Sequence, residues 1–200
     1  MSAEVSSTIA EGILQAAVRL FARKGYEATS TREIVEAAGV TKPMIYYYFK
    51  NKEGLYEAVL TRFLSQFSTR LRAVVDEPRE PRDYLTEVVW AHLDYFSENR
   101  DFAKFFYAVF FGPDESALAV SLMSATRQVQ DLLIEACQKA VATGLVKPER
   151  LEALVTALNG MINLWVIATV KHGAEITRAV AVEIVDLILD GVASPAKDRV

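Results

Sequence analysis

The stretch TSTREIVEAAGVTKPMIYYYFKNK, residues 29–52, decides the fold predicted for this chain. Ser30 followed three residues later by Glu33 is a capping box, which predicts a short helix over residues 31–38. Gly39 suits the left-handed turn that would end this helix. A further short helix after the glycine completes a pair joined by about three residues, which is typical of the helix-turn-helix motif.

A helical wheel divides the next helix into two faces. Thr41 suits its N-cap and Pro43 its first turn, where no N–H is required. Ile45 and Phe49 share one side, on which we expect them to be buried. The opposite face combines phenols with positive charge, and a helix of this width fits the major groove of DNA. Its members are Lys42, Pro43, Met44, Tyr46 and Tyr47, with Lys52 just beyond.

The three consecutive tyrosines cannot all be buried, because every buried hydroxyl needs a hydrogen-bond partner. Phenol hydroxyls can bond phosphate oxygens, lysines supply salt-dependent attraction, and Met or Pro can touch a thymine methyl group. We therefore prefer a DNA-binding interpretation. The alternative is that Tyr46 to Tyr48 pack at the edge of a core while the lysines are only solvated.

Charge is distributed unevenly along the 200 residues, which carry a net charge of -4. Residues 19–52 hold seven Lys or Arg against three Glu, or +4, whereas the chain after residue 54 is acidic. The apolar share of 52% is enough for a substantial core. The single Cys137 excludes an intrachain disulfide, and the first residues lack a secretory signal pattern, so we expect a cytoplasmic protein.

Apolar spacings of three and four recur throughout, which predicts an all-α fold. The first helix, with a stripe at Ile9, Ile13, Ala16 and Leu20, should end at Gly25. Asn51 is expected to cap a fourth helix with the stripe Leu55, Val59, Phe63, Phe67 and Leu71. Further helices are predicted over about 83–99, 101–111, 116–143, 148–172 and 175–192. We expect an N-terminal three-helix domain over 1–54 and a larger helical domain over 55–200.

Residues 13–60 as a whole resemble the DNA-binding domain of TetR-family transcriptional regulators. The shared residues are Phe21, Gly25-Tyr26, Thr29, the run from Ile34 to Val40, Ile45-Tyr46, Tyr48-Phe49, Lys52 and Leu55. The resemblance implies a homodimer whose C-terminal domain binds a small effector. It also places family DNA-contact positions at Thr31, Arg32, Lys42, Pro43, Met44, Tyr46, Tyr47, Tyr48 and Lys52. Pro43-Met44 replaces the Gly-Thr common in the family, so no relative's operator sequence can be assumed.

Aromatic residues concentrate in residues 83–111, which hold ten of the chain's aromatic side chains. They are expected to form core packing, a pocket for an apolar or aromatic effector, or both. The candidate effector-binding residues are Trp90, His92, Phe96, Phe106, Phe110 and Asn163.

The uncharged run over residues 153–170 reaches the lower end of the length range for a membrane span. Thr156, Asn159 and Asn163 on one face argue against a membrane, and Gly160 permits close helix approach. We expect helices 116–143 and 148–172 to form a dimer interface, as the resemblance also implies. The two asparagines are expected to bond within an interface or core, with effector contact as the alternative.

Catalytic and metal sites find no support in the sequence. His92, His172 and Cys137 match no spacing of zinc ligands or of a nucleophile with its base, so no cofactor is expected. The prediction is a ligand-released repressor that binds a pseudo-palindromic operator as a homodimer. The alternatives are a helical small-molecule carrier or enzyme without DNA binding, and a transcriptional activator of the same fold.

Overall fold

The computed structural model describes residues 3–112 and 117–191, and within these ranges the regular structure is helical, without strands. The order of elements is the one that the apolar spacing predicts. A single 3-10 turn, Pro148–Arg150, precedes α8. The nine α-helices of the described ranges are α1 (Ala3–Lys24), α2 (Thr31–Ala38), α3 (Lys42–Phe49), α4 (Lys52–Asp76), α5 (Pro81–Glu98), α6 (Arg100–Phe110), α7 (Ala117–Ala142), α8 (Leu151–His172) and α9 (Arg178–Asp190).

The chain forms two compact units, each made of two segments of sequence. The first compact unit is Met1–Phe67 with Asn99–Gln128, and the second is Ser68–Glu98 with Val129–Val200. The all-α prediction is confirmed. The predicted stripe of α4, from Leu55 to Leu71, is buried at all five positions.

The first compact unit is built around α1, which packs against α2 and α6, while α2 packs against α3. Phe21 of α1 lies 5.2 Å from Phe105 of α6 between ring centroids. Phe63 of α4 stacks on Phe102 at 4.5 Å with nearly parallel rings. The buried Tyr56 donates a hydrogen bond to the carbonyl of Leu118 at 2.7 Å. Aromatic packing therefore joins α1 and α4 to α6, and α1 in turn carries α2.

The second compact unit is a layered packing of α5, α8 and α9. Leu85 and Val88 of α5 are fully buried, as are Leu158 of α8 and Val185 of α9. Ion pairs close the α5–α9 contact at its edge. The guanidinium of Arg82 donates two hydrogen bonds to the Asp190 carboxylate, at 2.8 and 2.9 Å, and Arg178 pairs with Glu87. The core is apolar and the charges lie around it, as in most helical domains.

Candidate nucleic-acid interface

Helix α2 begins with the capping box that the sequence predicts. The amide of Glu33 donates to the hydroxyl of Ser30 at 3.2 Å, and the amide of Ser30 donates to the carboxylate of Glu33 at 2.9 Å. Lys24 also pairs with this carboxylate, and that hydrogen bond is the main reason why the pKa of Glu33 falls to about 2. Gly39 ends the helix with φ of 66°, as expected.

Helix α3 presents two unlike faces. Ile45 is completely buried, whereas Tyr46 is 49% exposed and Tyr47 is 78% exposed. Thr41 occupies the N-cap position but gives no side-chain cap hydrogen bond, so the expected cap is made by backbone geometry alone. Phe49, expected to be buried beside Ile45, is half-buried, because it is the last residue of α3 and the chain turns away after it.

The exposed face of α3 is the predicted surface of phenols and positive charge, and we call it the tyrosine surface. Lys42 and Pro43 are exposed, and Met44 is partly exposed. The rings of Tyr47 and Tyr48 meet edge to face at 4.9 Å, with Tyr48 half-buried. Such a pair fixes ring orientation at little entropic cost, since each tyrosine has only two side-chain torsions. The tyrosine surface consists of Lys42, Pro43, Met44, Tyr46 and Tyr47.

The remaining predicted contact residues, in the first turn of α2 and at the start of α4, differ in how far they are engaged within the subunit. Arg32 pairs with Glu36 at 2.9 Å yet stays largely exposed, and this hydrogen bond raises the pKa of the guanidinium. Thr31 is half-buried in the first turn of α2. Lys52 is engaged inside the subunit: its ammonium lies 4.0 Å from the Tyr26 ring centroid and donates to the Glu27 carbonyl at 3.3 Å.

The turn between α3 and α4 holds the predicted cap residue Asn51 and two residues, Lys50 and Gly54, that sequence reasoning did not single out. Lys50 adopts a positive φ of 66°, the one non-glycine residue to do so in the described ranges. Asn51 caps α4 as predicted, accepting from the Gly54 amide at 2.7 Å. A Cβ on Gly54 would lie 2.1 Å from the carbonyl oxygen of Phe49. Gly54 therefore lets α4 approach the end of α3, a role that its position within a helix does not reveal.

The candidate effector residues of α5 are mostly core residues. His92 is buried, its Nδ1 lies 2.8 Å from the Val88 carbonyl, and burial lowers its pKa to about 4. Phe96 is buried and meets Tyr95 edge to face at 5.8 Å. Trp90 is half-buried. These contacts fit structural packing, and effector binding by these residues stays a prediction.

The other candidate effector residues lie on α6 and α8. Phe106 is buried and stacks on Phe110 at 6.0 Å, but Phe110 is 42% exposed. Phe106 and Phe110 belong to the first compact unit, whereas Trp90, His92, Phe96 and Asn163 belong to the second. Three cavities in the described ranges, with volumes of about 320 to 410 Å³, are lined by other residues.

Helix α8 exposes a face that the sequence interpretation placed in an interface or core. Asn159 and Gly160 are exposed and Leu164 is 66% exposed, while the half-buried Asn163 donates to the carbonyl of Asn159 at 2.7 Å. Burial of the asparagines in the core of one subunit is therefore wrong, because Leu158, Ile162 and Val166 form the inner face instead. Within the described ranges, Pro148–His172 has the length and composition of a membrane span, and 28% of its most apolar window is buried.

Residues suited to catalysis or metal binding are not gathered in the described part of the chain. Cys137 is buried, and burial raises the pKa of its thiol to about 12, so it stays a neutral thiol. No group of three His, Cys, Asp or Glu side chains is placed to hold a metal ion within residues 3–112 and 117–191.

Comparisons with known proteins find matches to the helix-turn-helix segment. Residues 13–59 match the family model described as bacterial regulatory proteins, tetR family. The HTH-type transcriptional repressor ComR of Escherichia coli (strain K12) is 44% identical over 63 residues, 32% of this chain and 30% of ComR. The HTH-type transcriptional activator FasR of Mycolicibacterium smegmatis is 31% identical over 144 residues, 70% of this chain and 60% of FasR. The chain thus spans less than two thirds of either relative.

Solved structures agree in fold over nearly the whole chain. The TetR family transcriptional regulator PfmR from Thermus thermophilus superposes with a TM-score of 0.75 at 24% identity, covering 91% of this chain and 99% of PfmR. FadR from Bacillus subtilis, solved in complex with stearoyl-CoA, superposes with a TM-score of 0.78 at 19% identity. The superposition covers 92% of this chain and 99% of FadR. At these identities the likeness concerns the fold alone.

Proposed function

Because residues 13–59 match the model of the tetR family of bacterial regulatory proteins, we propose that the chain is a homodimeric, ligand-responsive repressor of this family that binds a pseudo-palindromic operator in the cytoplasm. The observation that carries this proposal is the division of α3. Ile45 anchors the helix from behind, while Tyr46 and Tyr47 face outward and are 49% and 78% exposed. Exposed aromatic side chains on a short helix with a buried inner face suit contact with a duplex better than they suit solvent.

The tyrosine surface supplies the chemistry that a major-groove contact needs. The hydroxyls of Tyr46 and Tyr47 donate to phosphate oxygens, and Lys42 adds salt-dependent attraction. Pro43 and Met44 offer apolar contact to thymine methyl groups rather than hydrogen bonds to base edges. Thr31 and Arg32 in the first turn of α2 are placed to hold the DNA backbone, with the amide groups of the helix N-terminus. Tyr48 and Lys52 contribute less, since both are partly engaged within the subunit.

The exposed face of α8 supports a homodimer. Asn159, Gly160 and Leu164 form a mixed surface of small, polar and apolar side chains. An exposed apolar side chain beside a glycine and a polar side chain on one helix face suits close approach by a partner helix. We assign the dimer interface to helices 116–143 and 148–172, where the two copies of α8 and α7 would form a four-helix contact.

Effector binding is proposed to act through the spacing of the two α3 helices. A two-fold dimer must place them about 34–36 Å apart, or at a related spacing, to enter successive major grooves. An apolar or aromatic ligand that favours a different spacing releases DNA, with a coupling of about 1–3 kcal/mol. We place effector binding in residues 55–200 and name Trp90, His92, Phe96, Phe106, Phe110 and Asn163 as the residues to test.

The chemistry of the effector can be screened with the protein's own fluorescence. Trp90 and Trp165 are the only tryptophans, so a ligand near Trp90 changes the emission of one of the two fluorophores. FadR of Bacillus subtilis is described with stearoyl-CoA and KstR2 of Mycobacterium tuberculosis as a ketosteroid regulator, so acyl-CoA and steroid probes are sensible starting compounds. Trp90→Phe should abolish the change if Trp90 lines the site, and an unchanged signal would exclude that residue.

The proposal is tested by selecting bound duplexes from a random pool with the purified full chain. We expect an enriched pseudo-palindrome whose affinity falls when Tyr46 and Tyr47 are changed to alanine. Val182→Ala, an exposed apolar change on α9, serves as the control that leaves DNA affinity unchanged. A helical carrier or enzyme without DNA binding would instead give no enriched sequence, and its small-molecule binding would survive loss of both tyrosines.

Activation is the second candidate function, because FasR, the more extensively aligned of the two relatives above, is named an activator. Both functions use the same DNA contact and differ in the position of the operator relative to the promoter. Deletion of the gene raises transcription of the neighbouring genes if the protein represses them. It lowers that transcription if the protein activates them.

A further inference from the structure

A groove in the first compact unit is lined by basic side chains that lie outside the tyrosine surface. Its volume is about 410 Å³, and its lining comes from α1 and α6 with Ala37 of α2. This volume lies in the range of about 300–1,000 Å³ that is usual for small-molecule sites. Arg19 and Arg23 reach it from α1, and Lys104 reaches it from α6.

The three bases of this groove are without acidic partners in the described part of the chain. Arg19, Arg23 and Lys104 are exposed and form none of the ion pairs found in residues 3–112 and 117–191. Other arginines of the same unit do pair, as Arg62 does with Glu11 at 2.8 Å. Asp101 is the one acid in the lining, so the groove carries a net charge of about +2 when all four groups are ionised.

The placement of these charges is unfavourable without a bound anion. Arg19 and Arg23 lie four residues apart on one face of α1, where like charges repel each other. Lys104 adds a third positive charge from the helix packed against α1. An anion in the groove would relieve this repulsion and hold α1 to α6, and the first turns of α6 also favour negative charge through their free amide dipoles.

We propose that the groove between α1 and α6 binds a compact polyanion, a small metabolite with two or more phosphate or carboxylate groups. The two guanidinium groups can each hold an oxyanion through paired N–H donors, and Lys104 completes the charge as a point contact. Ala16, Ala22 and Ala37 in the lining have short side chains, which leave room for a small ligand. This site is separate from the proposed effector residues and does not depend on DNA binding.

Isothermal titration calorimetry of the full chain with pyrophosphate and with citrate tests the proposal. The ionic strength is held constant with a chloride salt. The two ligands distinguish phosphate from carboxylate chemistry, and saturable binding of either supports the site. The variant Arg23→Gln with Lys104→Gln should bind at least about 10-fold more weakly, corresponding to the loss of one or two charge-assisted contacts. Circular dichroism verifies that this variant is folded.

A matched control removes the same two kinds of charge elsewhere. Arg79→Gln with Lys147→Gln changes one exposed arginine and one exposed lysine outside both the groove and the proposed dimer helices, and it should bind like the wild type. Equal loss in both variants would overturn the proposal, because binding would then follow net charge alone. Failure of both ligands to bind at millimolar concentration would also overturn it. If duplex DNA alone bound, and did so more weakly in the groove variant, the groove would be a nucleic-acid contact instead.

Discussion

Gly54 is the residue whose substitution tests most sharply how α3 is held. In Gly54→Ala the added Cβ would lie 2.1 Å from the Phe49 carbonyl oxygen and 3.4 Å from Asn51 Oδ1. A carbon and a carbonyl oxygen normally approach no closer than about 3.3 Å, so one of the two backbones must move by about 1.2 Å. The same carbonyl accepts a hydrogen bond from the Asn51 amide at 2.8 Å, which this movement would strain.

The expected loss of stability in Gly54→Ala depends on the group that the added Cβ meets. Overpacking costs about 1–3 kcal/mol when side chains can rearrange, and here the obstacle is backbone, so we expect about 2–3 kcal/mol. For a chain of this size each kcal/mol changes Tm by about 2–4 °C, which gives a Tm lower by about 4–12 °C. DNA affinity should fall by more than the loss of stability explains, because the end of α3 is displaced.

Gly12→Ala is the matched control for this substitution. A Cβ on Gly12 meets nothing within 4 Å, and alanine favours an α-helix by about 1 kcal/mol, so this variant should be more stable than the wild type. Urea unfolding at pH 7 measures both variants. A Gly54→Ala protein within about 0.5 kcal/mol of the wild type would refute the reasoning, since the α3–α4 contact would then be loose.

Four further substitutions or titrations follow from named contacts. The hydrogen bond from Lys24 lowers the pKa of Glu33 from 4.5 to about 2, so its stabilising effect is full above pH 4.5 and is lost towards pH 2. Urea unfolding of the wild type and of Glu33→Gln should therefore differ at pH 7 and converge near pH 2. Burial lowers the pKa of His92 from 6.5 to about 4, so the unfolded chain binds the proton first and stability falls as pH decreases from 6.5 towards 4. The free energy of unfolding falls by at most about 3 kcal/mol between pH 6.5 and 4, and this fall should be absent from a folded His92→Gln variant. Urea unfolding midpoints measured across this pH range test both expectations. Tyr47→Ala should change stability by less than about 0.5 kcal/mol and yet weaken operator binding by about 1–3 kcal/mol in fluorescence anisotropy, because the side chain is 78% exposed. Leu164→Glu should convert the dimer into a folded monomer in sedimentation velocity, and an unchanged dimer would place the interface elsewhere.

Local signals made the helix-turn-helix predictable. The Ser30–Glu33 capping box and the left-handed Gly39 act within a few residues of sequence, and the structure confirms both. The buried stripe from Leu55 to Leu71 was equally clear, because a repeat of four residues leaves no other way to shield five large apolar side chains.

Features that depend on contacts distant in sequence were not predictable in the same way. Lys52 carries the positive charge expected of a DNA contact. Its position over the Tyr26 ring, however, depends on how the loop before α2 folds back. Gly54 resembles any helical glycine until the end of α3 is placed against it. Asn159 and Asn163 were assigned to a buried face, although polar spacing alone does not distinguish a core from a surface awaiting a partner.

The effector site shows the same limit more strongly. Aromatic density predicts an effector region within residues 83–111, but Phe102 and Phe105 in that segment use their rings to pack the core of the first compact unit. Composition cannot separate rings that fill a core from rings that line a cavity, because both environments are apolar.

The most direct test of the account is the affinity of the full chain for its selected duplex, measured by fluorescence anisotropy at several salt concentrations. The wild type is compared with a variant carrying Lys42→Ala, Tyr46→Ala and Tyr47→Ala. We predict that the variant stays folded, loses at least about 100-fold in affinity, and shows a smaller slope of log affinity against log salt. Unchanged affinity and salt slope in a folded variant would show that the tyrosine surface does not bind DNA.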